Sequence, residues 1–126
     1  MYYGMKEILR KLDLRNVNTE TDCINIIDEL EKWLNIIKSE IETIHMNSQI
    51  EERRANLVAF LNTATLAINR INESNILEVS LLDKLKKFMQ KVFGALKDFA
   101  KSLEVETFSI TVGFAVSITL TFKPFY

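Results

Sequence analysis

From Cys23 the apolar residues recur at Ile27, Leu30, Leu34, Ile37, Ile41 and Ile44, alternating steps of four and three without a miss. A period of about 3.5 residues keeps one apolar seam turned toward a partner helix, as in coiled-coil packing. Ile26 and Trp33 widen the stripe to what a globular bundle needs. Thr19 or Thr21 can cap the start of this helix, since a side-chain oxygen there accepts an orphan amide of the first turn. Glu20 and Asp22 suit the positive end of its dipole. At Ser48 the seam loses register, and Ser48-Gln49-Ile50-Glu51 reads as a capping box. A turn is therefore expected at 46–48 and a new helix over 49–72. The alternative is one unbroken helix through both, because no Gly or Pro forces a break.

The helix over 49–72 has its own seam of Leu57, Leu61, Ala64, Ile68 and Ile71, flanked by Val58 and Phe60, and Asn72-Glu73-Ser74-Asn75 ends it. Asn75 with Glu78 can start another, with Leu82, Leu85, Met89, Val92, Leu96, Phe99 and Leu103 as the seam and Leu81 and Phe88 broadening it. Lys84, Lys87, Lys91 and Lys101 lie away from that face. Gly94 costs about 1 kcal/mol relative to Ala inside a helix, so close helix packing is expected there. A short helix over 5–13, with Met5, Ile8, Leu9 and Leu12 on one side, precedes these three and breaks at Asn16-Val17-Asn18.

Beyond 104 the period falls to two. Phe108, Ile110, Val112, Phe114, Val116, Ile118, Leu120 and Phe122 occupy every even position, and the odd positions from Thr107 to Thr121 are all Thr, Ser, Gly or Ala. Strict alternation rich in β-branched and aromatic residues is a strand signal. Cross-strand partners must share a face, so a hairpin here needs a loop with an odd number of residues. A three-residue loop at 111–113 would use Gly113 in the left-handed conformation and pair Ile110 with Phe114 and Phe108 with Val116. A single strand would extend roughly 50 Å at about 3.3 Å per residue, longer than the bundle is wide, so the hairpin is favoured over one long strand. The expected fold class is α+β: one domain over 1–126, helical over 5–103 as an antiparallel bundle of three long helices plus the short N-terminal one, with a β segment over 104–123.

Composition changes this picture little. A chain of 126 residues, 48% apolar and 26% charged, fits one globular domain. The net charge of −1 gives no reason to expect nucleic acid as a partner. The charge is unevenly placed: residues 20–52 hold nine carboxylates against two lysines, and residues 83–101 hold six lysines against two aspartates. Two neighbouring helices with complementary outer faces explain this, so Lys84, Lys87 and Lys91 are expected near carboxylates of the acidic helix. Cys23 is the lone cysteine, which excludes an intrachain disulfide. No stretch reaches the roughly 20 continuous apolar residues of a membrane-spanning helix, and the first residues have no leader-like apolar core. A cytoplasmic location is the expectation.

Candidate chemistry is sparse. His45 is the only histidine, which removes most catalytic constellations. Glu42-Thr43-Ile44-His45 matches the Glu-x-x-His spacing of di-iron bundles, but Ile41 and Ile44 point inward and leave Glu42 outside. Cys23 lies on the seam and reads as a buried thiol rather than a nucleophile. No catalytic, metal-binding or cofactor-binding residue is therefore assigned, and no enzyme is expected. The pointer that remains is the hairpin, which is marginal as two strands alone and leaves its outer edges unpaired. Thr107 to Phe122 contain no charge; Lys123 and Pro124 follow as a stop. The sequence therefore points to a non-enzymatic structural or interaction protein that forms a homo-oligomer through the even residues Phe108, Ile110, Val112, Phe114, Val116, Ile118, Leu120 and Phe122 and its helical seams. Two alternatives stand beside it: a membrane-active chain that gives its hairpin to an oligomeric pore, and a regulatory adaptor for another protein.

Overall fold

The computed structural model describes residues 17–42, 50–74, 79–111 and 116–124. Three helices, α1 (Glu20–Glu42), α2 (Ile50–Glu73) and α3 (Val79–Ser102), are followed by strands β1 (Val105–Thr111) and β2 (Ser117–Phe122), which pair as an antiparallel hairpin. The short helix expected over 5–13, the turn at 46–48 and His45 lie outside the described residues.

The start of α1 follows from its sequence. Thr19 Oγ1 accepts the amide of Asp22 at 3.1 Å, while the Asp22 carboxylate accepts the amides of Thr19 and Asn18 at 3.1 and 3.2 Å. This reciprocal cap satisfies orphan donors of the first turn. The seam residues Cys23, Ile27, Leu30, Leu34, Ile37 and Ile41 are all buried, against α2 on one side and α3 on the other. Arg53 near the start of α2 lies 2.8 Å from the Glu40 carboxylate near the end of α1. Thirteen residues of continuous helix would hold these positions about 20 Å apart, so the chain reverses between them and one unbroken helix is excluded. Leu57, Phe60, Leu61, Ala64, Ile68 and Ile71 of α2 are buried as expected, together with Ala67, whereas Val58 is exposed.

Helix α3 departs from the expected seam. Leu81, Leu85, Phe88, Val92, Ala95, Leu96 and Phe99 are buried, but Leu82 is 47% exposed and Met89 only partly buried. Both stripes obey helical spacing, and the one led by Leu81 wins the core because that side of α3 packs on α1. The other turns toward the hairpin. Gly94 is not a site of close packing: a Cβ built there meets no atom within 4 Å.

Helix α3 hands over to β1 through Leu103 and Glu104. The amide of Leu103 donates to the Phe99 carbonyl at 2.9 Å, and Glu104 adopts φ 54°, the left-handed geometry that usually ends a helix with Gly. The strand register is Phe108↔Leu120, Ser109↔Thr119, Ile110↔Ile118 and Thr111↔Ser117. The chain between the last pair is thus 112–116, five residues rather than three, so Ile110 meets Ile118 instead of Phe114. The loop stays odd, and the apolar even face survives. A bulge between Val105 and Thr107 lets Val105, an odd-numbered apolar residue, pair with Phe122 and become buried. That face lies over α2 and α3, closing the open side of the three-helix core.

Candidate functional site

Of the eight residues expected at an oligomer interface, Phe108, Ile110, Ile118, Leu120 and Phe122 are half-buried against the chain's own core, and Val116 is buried. Val112 and Phe114 lie outside the described residues. The even face is thus largely occupied by α2 and α3. The odd face, Thr107, Ser109, Thr111, Ser117, Thr119 and Thr121, is exposed, with Ser109 and Thr119 hydroxyls 2.6 Å apart across the strands.

Two polar residues of α2, neither with a periodic signature in the sequence, fasten the hairpin. At one end the Asn69 side chain accepts the Val116 amide at 2.8 Å and donates to its carbonyl at 3.0 Å. Both backbone groups of Val116 are satisfied as a neighbouring strand would satisfy them. At the other end Arg54, buried to 7% exposure, donates from Nε to the Leu103 carbonyl at 2.9 Å. Its guanidinium stacks over the Phe122 ring at 4.6 Å and lies 3.7 Å from the Glu104 carboxylate. One side chain thereby holds the carbonyl of Leu103 just past α3, the strained Glu104 turn and the end of β2.

The charged faces meet largely as the sequence predicts. Lys84 lies 2.7 Å from Asp28 and Lys91 3.1 Å from Glu31, both on α1, whereas Lys87 pairs with Asp83 of its own helix at 3.1 Å. The hydrogen bond to Asp28 raises the Lys84 pKa above its ordinary value, against the smaller opposing effect of burial. Cys23 is a free, fully buried thiol. Burial, with the Asp22 carboxylate beside it, pushes its pKa up despite a hydrogen bond with Ser74. A thiol so placed has little thiolate and makes a poor nucleophile. Among the described residues no cluster of His, Cys, Asp and Glu could hold a metal ion.

The second stripe of α3 opens on solvent. Leu82, Met89 and Phe93 of α3, Ile68 of α2 and Ile110 and Val116 of the hairpin segment line an apolar groove of about 570 Å³. Phe93 is 41% exposed and stands edge-on to Phe108, with ring centroids 5.6 Å apart. Among the described residues the only charged groups along the groove are Lys86 and Lys97, the latter with Nζ 4.8 Å from the Phe93 ring centroid. Among the described residues no helix is long and apolar enough to cross a membrane. Compared with protein-family models, with curated proteins and with solved structures, the chain matches none.

Proposed function

We propose that this chain is a non-enzymatic interaction protein that assembles with copies of itself by extending its two-stranded sheet. The observation that carries the reading is the outer edge of β2: no third strand pairs with it among the described residues, and Ser117–Phe122 holds no charge, proline or bulge. Protein edges meant to stay single are blunted by such devices. The edge of β1 has one, the bulge beside Glu106. A second copy adding its β2 antiparallel to the first would give a four-stranded sheet, with small Thr and Ser side chains outside and no bulk to bar the approach. The helical seams act within each chain as an intramolecular coiled-coil-like core. In this reading the protein works in the cytoplasm, with Cys23 kept reduced, and needs no cofactor. A pore built from the hairpin would require Ile110, Ile118 and Leu120 to leave the core they cover, which the edge-to-edge assembly does not.

The test leaves that apolar face alone, because changing Ile110 or Ile118 would expose the core and confuse folding with assembly. Sedimentation of the full chain at micromolar concentration is expected to show a dimer or larger species. Thr119→Lys, placing a charge on the exposed face of β2, is expected to yield a folded monomer. A full chain that already sediments as a monomer overturns the proposal.

A further inference from the structure

We propose that the groove between α3, the end of α2 and the hairpin is a docking site for an amphipathic helix with acidic flanks, supplied by another protein. Its floor is one stripe of α3, Leu82, Lys86, Met89, Phe93 and Lys97, in steps of four, three, four and four. Three turns of helix separate the two lysines, about 16 Å at 1.5 Å per residue. The groove is therefore an apolar trough with one cation toward each end, and among the described residues no carboxylate lines it.

Of the six lysines of α3, three are paired; two of the others, Lys86 and Lys97, border the groove, and Lys101, likewise without an ion pair to a described residue, lies away from it. Lys84, Lys87 and Lys91 each have a carboxylate within 3.1 Å. Neither Lys86 nor Lys97 makes an ion pair with a described residue. The same helix thus satisfies one set of lysines inside the molecule and leaves another set at the rim of an uncovered apolar surface. Apolar area beside unpaired cations is complementary to apolar area beside anions.

The shape selects a helix over a small molecule or a membrane. A small-molecule site encloses most of its ligand, whereas Leu82 and Phe93 are 47% and 41% exposed along an open side. A bilayer meets surfaces that protrude, and here the apolar residues line a recess between three elements. A helix laid in such a trough anchors through positions i, i+3 or i+4, and i+7. The acidic helix of this chain cannot serve as the occupant, since its own apolar seam is already buried in the bundle. Among the described residues a second copy of the chain therefore offers no free acidic helix, and the proposed occupant is a different protein.

The probe is a synthetic peptide of roughly fourteen residues, about 21 Å of helix, with leucines at i, i+3, i+7 and i+10 and glutamates flanking them. Its counterpart carries the same leucines with lysines as flanks. Both are titrated by fluorescence anisotropy against the full-length protein. The acidic peptide is expected to bind at least about tenfold more tightly, since two exposed ion pairs are gained in one case and two repulsions in the other. In the double variant Lys86→Glu/Lys97→Glu the preference is expected to reverse, and Leu82→Ser is expected to weaken both peptides. These three residues are exposed on a helix and outside the core, and circular dichroism checks that each variant remains folded. The proposal falls if the two peptides bind equally, if neither binds, or if the order survives the charge reversal. It also falls if vesicles of phosphatidylglycerol and phosphatidylcholine bind the protein in a Lys86- and Lys97-dependent way while the acidic peptide does not. Sedimentation of the double variant is expected to match that of the unaltered chain, which separates failure here from failure of sheet-edge assembly.

Discussion

In α1 the seam from Cys23 to Ile41 is buried almost without exposure, whereas Ile118, Leu120 and Phe122 of the equally regular β2 remain half-exposed. The patterns are comparably strict, so pattern strength does not explain the difference. A helix in a three-helix bundle has a neighbour on each flank of its stripe, and both α2 and α3 close over α1. A two-stranded hairpin offers one narrow face and rests on the bundle from one side only. Periodicity identifies the inward face of an element; the number of layers around that element sets how completely the face is covered.

The largest expected effect belongs to the fully enclosed stripe. Leu34 is 3% exposed, and Leu34→Asp would bury a charge without a partner at a cost of several kcal/mol, comparable to the stability of a whole domain. The variant is expected to lose cooperative thermal unfolding by circular dichroism; an unchanged melting temperature would refute the bundle. The half-covered face should respond less, and through its polar fastenings. Asn69→Leu leaves the Val116 amide and carbonyl without their partner, at about 1–3 kcal/mol. Urea titration is expected to show that loss, and hydrogen exchange to show faster exchange at β2 than in α1. Equal acceleration in both would mean that the hairpin and bundle open as one unit, and the contrast between them would fail.

The parts legible in the sequence are those that repeat. The stripe of α1, a Thr cap at its start, the odd loop of the hairpin and most of the facing charges of α1 and α3 come from spacings within a few residues, whereas the return bonds of Asp22 to the cap do not. The register of the hairpin was not legible, because loops of three and five residues keep the same faces together, and the Asn69 clamp on Val116 that accompanies the observed register acts over a long sequence separation. Nor was the choice between the two stripes of α3: Leu81 and Leu82 are chemically equivalent, and which is buried depends on where α1 sits. Arg54 and Asn69 act over separations of 49 and 47 residues, and a single polar residue in an α-helical pattern carries no sign of a distant backbone partner. The candidate groove follows from the same blindness, as the stripe that lost the core became its floor.

A smaller effect tests the open side of α3 directly. Since a Cβ at Gly94 meets nothing within 4 Å, Gly94→Ala is expected to stabilise the protein by about 1 kcal/mol, through helix propensity and a less flexible unfolded chain. A destabilised variant in urea titration would show that the space beside Gly94 is taken up by a close contact after all.

The smallest effect distinguishes two lysines of one helix. Lys84 reaches across to Asp28 on α1, while Lys87 pairs with Asp83 within α3. The cross-helix pair depends on the fold, whereas the other can form in an isolated helix. Asp28 is 55% exposed and Lys84 30%, so screening by solvent keeps the contribution at about 0–1 kcal/mol. The sign of its pH dependence follows from the raised pKa of Lys84 in the folded protein, caused first by the hydrogen bond to Asp28. A raised folded value means that the stabilisation is fully present below the ordinary lysine range, near pH 10.4, and is lost as pH rises through the folded value. Asp28→Asn is therefore expected to be slightly less stable than the parent at neutral pH, and the gap between the two urea midpoints should close as pH is raised through that range. Asp83→Asn should produce a smaller gap. A difference for Asp28→Asn that persists undiminished above the titration of Lys84 would show that Asp28 acts through something other than this ion pair, and the two lysines would no longer differ in the way their partners imply.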